Sequence, residues 1–230
     1  MTKQEKTKKG DFVELEFTGY YQGKSFDSNV EENIKKINPE AKAEKTVVVI
    51  GQRLVIGGLD KALEEKEIGE EYEIHVPYKE GFGERKRELV KTIPLNVFTK
   101  QKINPFPGQT LVMDDVLARV ITISGARVIT DFNNPLAGKD VDYKFKIKRI
   151  IIDEKEKIEA LFKFFFRAIP KYEIKENKII VKGPKPLVGL VILYKDKFKE
   201  IIDKYLEFEE EKIERREKGK AKESEINLGD

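Results

Sequence analysis

Side chains equipped for covalent or metal chemistry are scarce in this chain of 230 residues. It has no cysteine and one histidine, His75. A disulfide frame, a thiolate nucleophile and any metal site built on several imidazoles are therefore excluded. His75 stands among alternating strand residues and reads as structural or exposed rather than catalytic, because no second ligand accompanies it. The glycine pairs offer no phosphate site either. Gly81-Phe82-Gly83-Glu84 lacks the lysine and the spacing of a phosphate loop, and Gly57-Gly58 is a common turn into a helix. Neither a metal nor a cofactor is expected. Residue types and spacing alone define a soluble, multi-domain α+β protein and leave its chemistry unassigned.

The elements that would position a site are legible. With 39% hydrophobic and 10% aromatic residues the chain can build a core, and its 38% charged residues form a solvated exterior. Forty-five Lys and Arg against 42 Asp and Glu leave +3, too little for a general pull on nucleic acid. Met1–Gly10 lacks the apolar stretch of a signal peptide and nowhere do 18 apolar residues run together, so the expectation is a cytoplasmic protein with no membrane span. Val13, Leu15 and Phe17 alternate with Glu14 and Glu16, as in a half-buried strand. Val47–Ile50 and Tyr72–Val76 read as further strands, and Leu59–Lys66 as a short helix stopped by Gly69. The strongest strand, Val141–Ile147, lies far downstream and needs a sheet to join. Between them, Pro94–Phe98 reads as a turn or helical segment, and Leu111–Met113, Leu117–Ile123 and Arg127–Thr130 as strands joined at Asp114-Asp115 and Ser124-Gly125. Residues 85–132 are thus expected to form a small domain inserted into a discontinuous first domain, 1–84 plus 133–150.

From Ile151 onward helices are expected. Ile158, Leu161, Phe162, Phe165 and Phe166 keep helical spacing behind Asp153, a cap. Glu176-Asn177 separates the arms of a hairpin. From Leu187 to Phe208 apolar residues again keep helical spacing, with a strand over Leu187–Tyr194 as the other reading. Residues 151–230 are expected to form a helix-hairpin-helix domain with a charged tail.

A resemblance lifts the reading further. Lys9–Val13 leading to Phe17-Thr18-Gly19-Tyr20, then Gly23–Ser28, Gly51–Leu63 and Pro77–Gly83 succeed one another as in the FKBP-type peptidyl-prolyl isomerase family. The insertion after Gly83 and the return through Asn134–Val141 resemble the SlyD-like branch, in which a chaperone domain interrupts the flap, and 151–230 resembles the long archaeal members. The resemblance implies a bent antiparallel sheet wrapped on one short helix. It places Tyr20, Phe26, Asp27, Val55, Ile56, Leu59, Phe82 and Tyr143 on catalytic cleft positions. It further implies that the Ile56 N–H holds a substrate carbonyl while Tyr20 and Asp27 orient groups around the twisting imide. Leu59 replaces the Trp of drug-binding members and Phe82 their flap Tyr, which weakens the case for macrolide binding more than the case for catalysis.

In the insert, Ile93, Leu95, Val97, Phe98, Ile103, Phe106, Leu111 and Met113 are many apolar residues for a small module, and are expected to bind client chains. The aromatic surplus of Phe162 and Phe164–Phe166 suggests a homodimer through 151–230 or a substrate-gripping surface. The expected partners are unfolded or nascent polypeptides containing X–Pro. A non-catalytic holdase, and an adaptor binding RNA through 209–223, are the rivals; the mixed charge of that segment argues against the second.

Overall fold

A computed structural model describes residues 6–211, and these divide into two compact units, the first ending at Lys157 and the second beginning at Ile158. The first unit begins with β1 (Phe12–Tyr21), whose alternation gives it one apolar face. One edge of β1 carries two antiparallel partners in succession, β2 (Lys24–Ser28) and β3 (Thr46–Val49), with the helix α1 (Glu31–Ile37) between them in sequence. Then come α2 (Gly57–Ala62) and β4 (Glu71–Val76).

The chain next builds a separate sheet from β5 (Val90–Pro94), the helix α3 (Leu95–Lys100), β6 (Thr110–Met113), β7 (Val116–Ser124) and β8 (Arg127–Asp131). Its order is β5-β8-β7-β6, antiparallel throughout. Asp114 and Asp115, at φ of 49° and 61°, form the two-residue turn between β6 and β7, a left-handed geometry that aspartate tolerates better than most residues. Only then does β9 (Val141–Ile150) return to lie between β1 and β4, giving the first sheet the order β2-β1-β9-β4 with β3 also on β1. This is the sheet that the strong downstream alternation required. Val13, Leu15, Leu63, Val76, Phe145 and Ile147 form the core over which α2 lies. The contact is close: a Cβ on Gly58 of α2 would stand 2.5 Å from Val76 Cγ1, so the helix approaches β4 only because that side chain is absent.

In the second unit α4 (Glu154–Phe166), whose start lies in the first, buries Ile158, Leu161 and Phe162. The Asp153 carboxylate accepts the Glu156 N–H at 2.7 Å, the expected cap. β10 (Lys171–Lys175) and β11 (Lys178–Gly183) form the hairpin, turned at Glu176 with φ of 48°. The helix α5 (Leu187–Ile202) is shorter than its spacing suggests, which settles Leu187–Tyr194 as helix and corrects the extension to Phe208. Asp203 at φ of 56° ends it, and Tyr205–Glu210 is a strand, β12, parallel to β11. Tyr205 and Phe208 show why spacing misled: three apart, they would share a face of a helix, whereas in the strand it is Leu206 and Phe208, two apart, that turn to the same side. Phe162 packs on Phe166 and Phe198, each at a centroid distance of 5.1 Å, so part of the aromatic surplus is core. The charged tail beyond 211 lies outside the described residues. Among those described, no helix is long and apolar enough to cross a membrane.

Candidate active site

The alternation of β1, continued past Phe17, brings Gly19 to the apolar face, opposite Asp27 of β2 on one side and Tyr143 of β9 on the other. Between Gly19 and Tyr20 the pairing of β1 with β2 slips by one residue. Such an irregularity re-aims side chains, and here it lets two consecutive residues, Phe26 and Asp27, serve the same face. The room comes from Gly19. A Cβ there would lie 2.6 Å from Phe26 Cζ and 3.0 Å from Tyr143 Cε1. Into that space the Phe26 ring stands edge-on to Tyr143 at 5.8 Å and to Phe82 at 5.7 Å, geometries that aromatic quadrupoles favour. Phe17 adds a fourth ring, 6.1 Å from Tyr143. Leu59 lies buried in the core to which Tyr143 belongs, and Val55, Ile56 and Leu136 pack half-buried on that core alongside Phe17, Phe26 and Phe82.

The loop carrying Val55 and Ile56 is anchored by Asp60. Its buried carboxylate accepts the N–H groups of Gly51 at 3.0 Å and Arg53 at 3.1 Å. Ile56 begins α2 by accepting the Asp60 N–H at 2.9 Å, while its own N–H meets no acceptor among the described residues. A free donor at the lip of an apolar surface is suited to a carbonyl of a bound chain.

Partial burial sets the electrostatics. Desolvation raises the pKa of Asp27 above the ordinary carboxylate value, opposed by a hydrogen bond from the Ser28 backbone. Burial, and after it the Asp27 charge, push the Tyr143 phenol above its usual range, so it keeps its proton and remains a hydrogen-bond donor. Among the described residues no three His, Cys, Asp or Glu side chains converge as a metal site would need.

Phe26, Asp27, Val55, Ile56, Leu59, Phe82 and Tyr143 thus come together. Tyr20 does not, which corrects the sequence reading. It pairs with Asp142 of β9 and lines a groove on the opposite face with Glu16, Thr18 and Asn33. Phe17 is the aromatic residue of β1 in the cluster, and the period-two pattern that already paired it with Val13 and Leu15 carried that signal. Leu136, from the loop before β9, had no comparable signal. His75 is exposed, its Nδ1 2.8 Å from an Asp142 carboxylate oxygen.

The client-binding residues divide. Phe98 is buried with Val120 and Val128, so it is a core residue and not a contact surface, and Ile93, Leu95, Val97, Ile103, Leu111 and Met113 pack half-buried around it. Phe106 is 59% exposed. The sequence reading missed the other face of the sheet, where Val112, paired across from Leu117, and Ile121 are exposed.

Residues 3–112 match the family model described as FKBP-type peptidyl-prolyl cis-trans isomerase, and 91–136 match that of the FKBP26 IF domain. The chain is 30% identical over 152 residues to the short-type peptidyl-prolyl cis-trans isomerase of Methanocaldococcus jannaschii, covering 65% of this chain and 97% of that one. It is 31% identical over 103 residues to the FKBP-type isomerase SlyD of Helicobacter pylori and 32% over 102 residues to that of Haemophilus influenzae. These matches cover 43% and 42% of this chain, and 55% and 53%, about half, of those relatives. The chain belongs to the FKBP-type peptidyl-prolyl cis-trans isomerase family.

Proposed function

We propose that the aromatic face over Gly19 is the isomerase site, acting on X–Pro bonds of unfolded or nascent chains, and that the sheet of 85–132 is an inserted chaperone domain that holds those chains. The observation carrying the first part is the convergence of Phe17, Phe26, Phe82 and Tyr143 beside the unpaired Ile56 N–H. Rotation about an X–Pro bond is slow because amide resonance raises a barrier of about 20 kcal/mol. The planar amide is strongly dipolar and the twisted transition state much less so, so a water-poor aromatic surface disfavours the former relative to the latter. A thousandfold acceleration needs about 4 kcal/mol. Desolvation and one or two hydrogen bonds, each worth about 1 kcal/mol or more when buried, reach that figure. The Ile56 N–H would hold a carbonyl of the substrate. The Tyr143 hydroxyl and the Asp27 carboxylate would orient the twisting imide; no proton needs to move.

The test is a protease-free assay on a short X–Pro peptide. Asp27→Ala and Tyr143→Phe each slow turnover, while Tyr20→Phe leaves it unchanged; unaltered turnover in the first two would place the site elsewhere. The exposed Val112, Leu117 and Ile121 support the holding role, which predicts suppressed aggregation of an unfolded protein. Exposed Ile192 and Leu193 on α5 support pairing of two chains through the second unit, and a sedimentation mass of one chain would exclude it.

A further inference from the structure

Beside the loop of residues 133–139 the outer face of the second sheet forms a groove of about 500 Å³. Its apolar floor includes Leu117, which is 55% exposed, Ile121, which is 42% exposed, and Pro135. Its charges are lopsided. Arg85, Arg119 and Lys139 line it against one carboxylate, Asp131. That carboxylate is already engaged, by the Asn133 N–H at 2.9 Å and by Arg85 at 2.7 Å. Burial alone would raise its pKa, but these bonds outweigh burial and hold it below the usual carboxylate value. Arg119 and Lys139 meet no carboxylate among the described residues; Lys139 instead lies 4.5 Å over the ring of Tyr21. The same loop serves both places. Leu136 packs on the core that Tyr143 belongs to, while Pro135 and Ala137 line the groove.

We infer that this groove binds an extended apolar segment of a non-native polypeptide that carries an acidic side chain. The inference rests on the reading that the second sheet holds client chains, and it adds what selects them. Apolar residues of the segment cover Leu117 and Ile121, and its carboxylate meets the two uncompensated cations. A chain seated there is one loop away from Phe26 and Tyr143, so a proline further along the same chain is presented to the isomerase site at high effective concentration.

The test uses the full chain and short, unstructured, fluorescein-labelled peptides of one apolar host sequence with Glu, Gln or Lys at the centre. Binding is read by anisotropy. The Glu peptide binds about three to ten times more tightly than the Gln peptide, as expected for two partly exposed ion pairs, and the Lys peptide more weakly than either. Raising salt from about 0.05 to 0.5 M, which shortens the screening length severalfold, erases most of the difference. The double variant Arg119→Gln/Lys139→Gln brings the Glu and Gln peptides to within about twofold while keeping the affinity for Gln. Leu117→Ser/Ile121→Ser weakens all three, and far-UV circular dichroism confirms that each variant is folded. Equal binding of Glu and Lys peptides, or a Glu preference that survives the double variant, overturns the charge selection alone. Binding insensitive to Leu117→Ser/Ile121→Ser overturns the groove alone, and no binding of any of the three peptides overturns the client-holding reading with it.

Discussion

Gly19→Ala puts the smallest possible perturbation at the centre of the candidate site. The added methyl would lie 2.6 Å from Phe26 Cζ, 3.0 Å from Phe26 Cε2 and 3.0 Å from Tyr143 Cε1, where ordinary contact begins near 3.4 Å. The Phe26 ring must therefore retreat by close to an ångström, and Phe82 and Tyr143 stand edge-on in its way. Overpacking of this kind costs about 1–3 kcal/mol of stability. A shift of about 1 Å in a positioning group can cost on the order of 100-fold in rate, so catalytic efficiency falls further than stability does. Both are measurable, by urea denaturation and by protease-free isomerisation of a short peptide. Phe26→Leu removes the ring atoms that the methyl meets. The double variant Gly19→Ala/Phe26→Leu should accordingly be more stable than the two single changes sum to, by about 1–2 kcal/mol. Additive stabilities together with turnover within about twofold of wild type in Gly19→Ala would refute the proposed crowding and the role of Phe26.

Three other outcomes are expected. Gly58→Ala, which drives a methyl to 2.5 Å from Val76 Cγ1, costs about 1–3 kcal/mol, and Val76→Ala in the same chain recovers part of it; a urea midpoint unchanged in Gly58→Ala would contradict the close approach of α2 to β4. Phe98→Ala empties the centre of the second sheet at a cost of about 3–5 kcal/mol, visible as lost hydrogen-exchange protection over β7 and β8, while Phe106→Ala leaves that protection intact. The pKa of His75 is held above its ordinary value chiefly by the hydrogen bond to Asp142. Because the folded-state pKa is the higher one, the contribution of His75 is complete below about pH 6.5 and is lost as pH climbs through the folded value. Relative to His75→Gln, the native chain should lose stability across that window, and parallel pH profiles would dismiss the pairing.

The first sheet was largely legible because its strands are one-sided: Val13, Leu15 and Phe17 on β1, and Val141, Tyr143, Phe145 and Ile147 on β9, declare their buried face by parity. Tyr20 was misassigned because family order outweighed that parity, although two further steps from Phe17 lead to Gly19 and Tyr21. The slip in pairing that brings Phe26 and Asp27 together leaves no mark on composition, since it is a property of two strands and not of one. In the insert, counting apolar residues did not separate Phe98, which is buried, from Phe106, which is exposed. Phe98 is buried and Val112 exposed for reasons of which way each faces, and a four-residue edge strand is too short to state this by alternation. Asp203 ended α5 where apolar spacing ran on, because a left-handed residue stops a helix whatever side chains come after it.

The position of β9 also sets an order of events during synthesis. β1 and β4 leave the ribosome before the strand that joins them, and the chain between β4 and β9 contains a whole antiparallel sheet whose pairings, Val90 with Asp131 included, all span less sequence than that of Val13 with Ile150. Short-range pairing is quick and long-range closure slow. A growing chain can therefore close its second sheet while the central strand of the first is still missing.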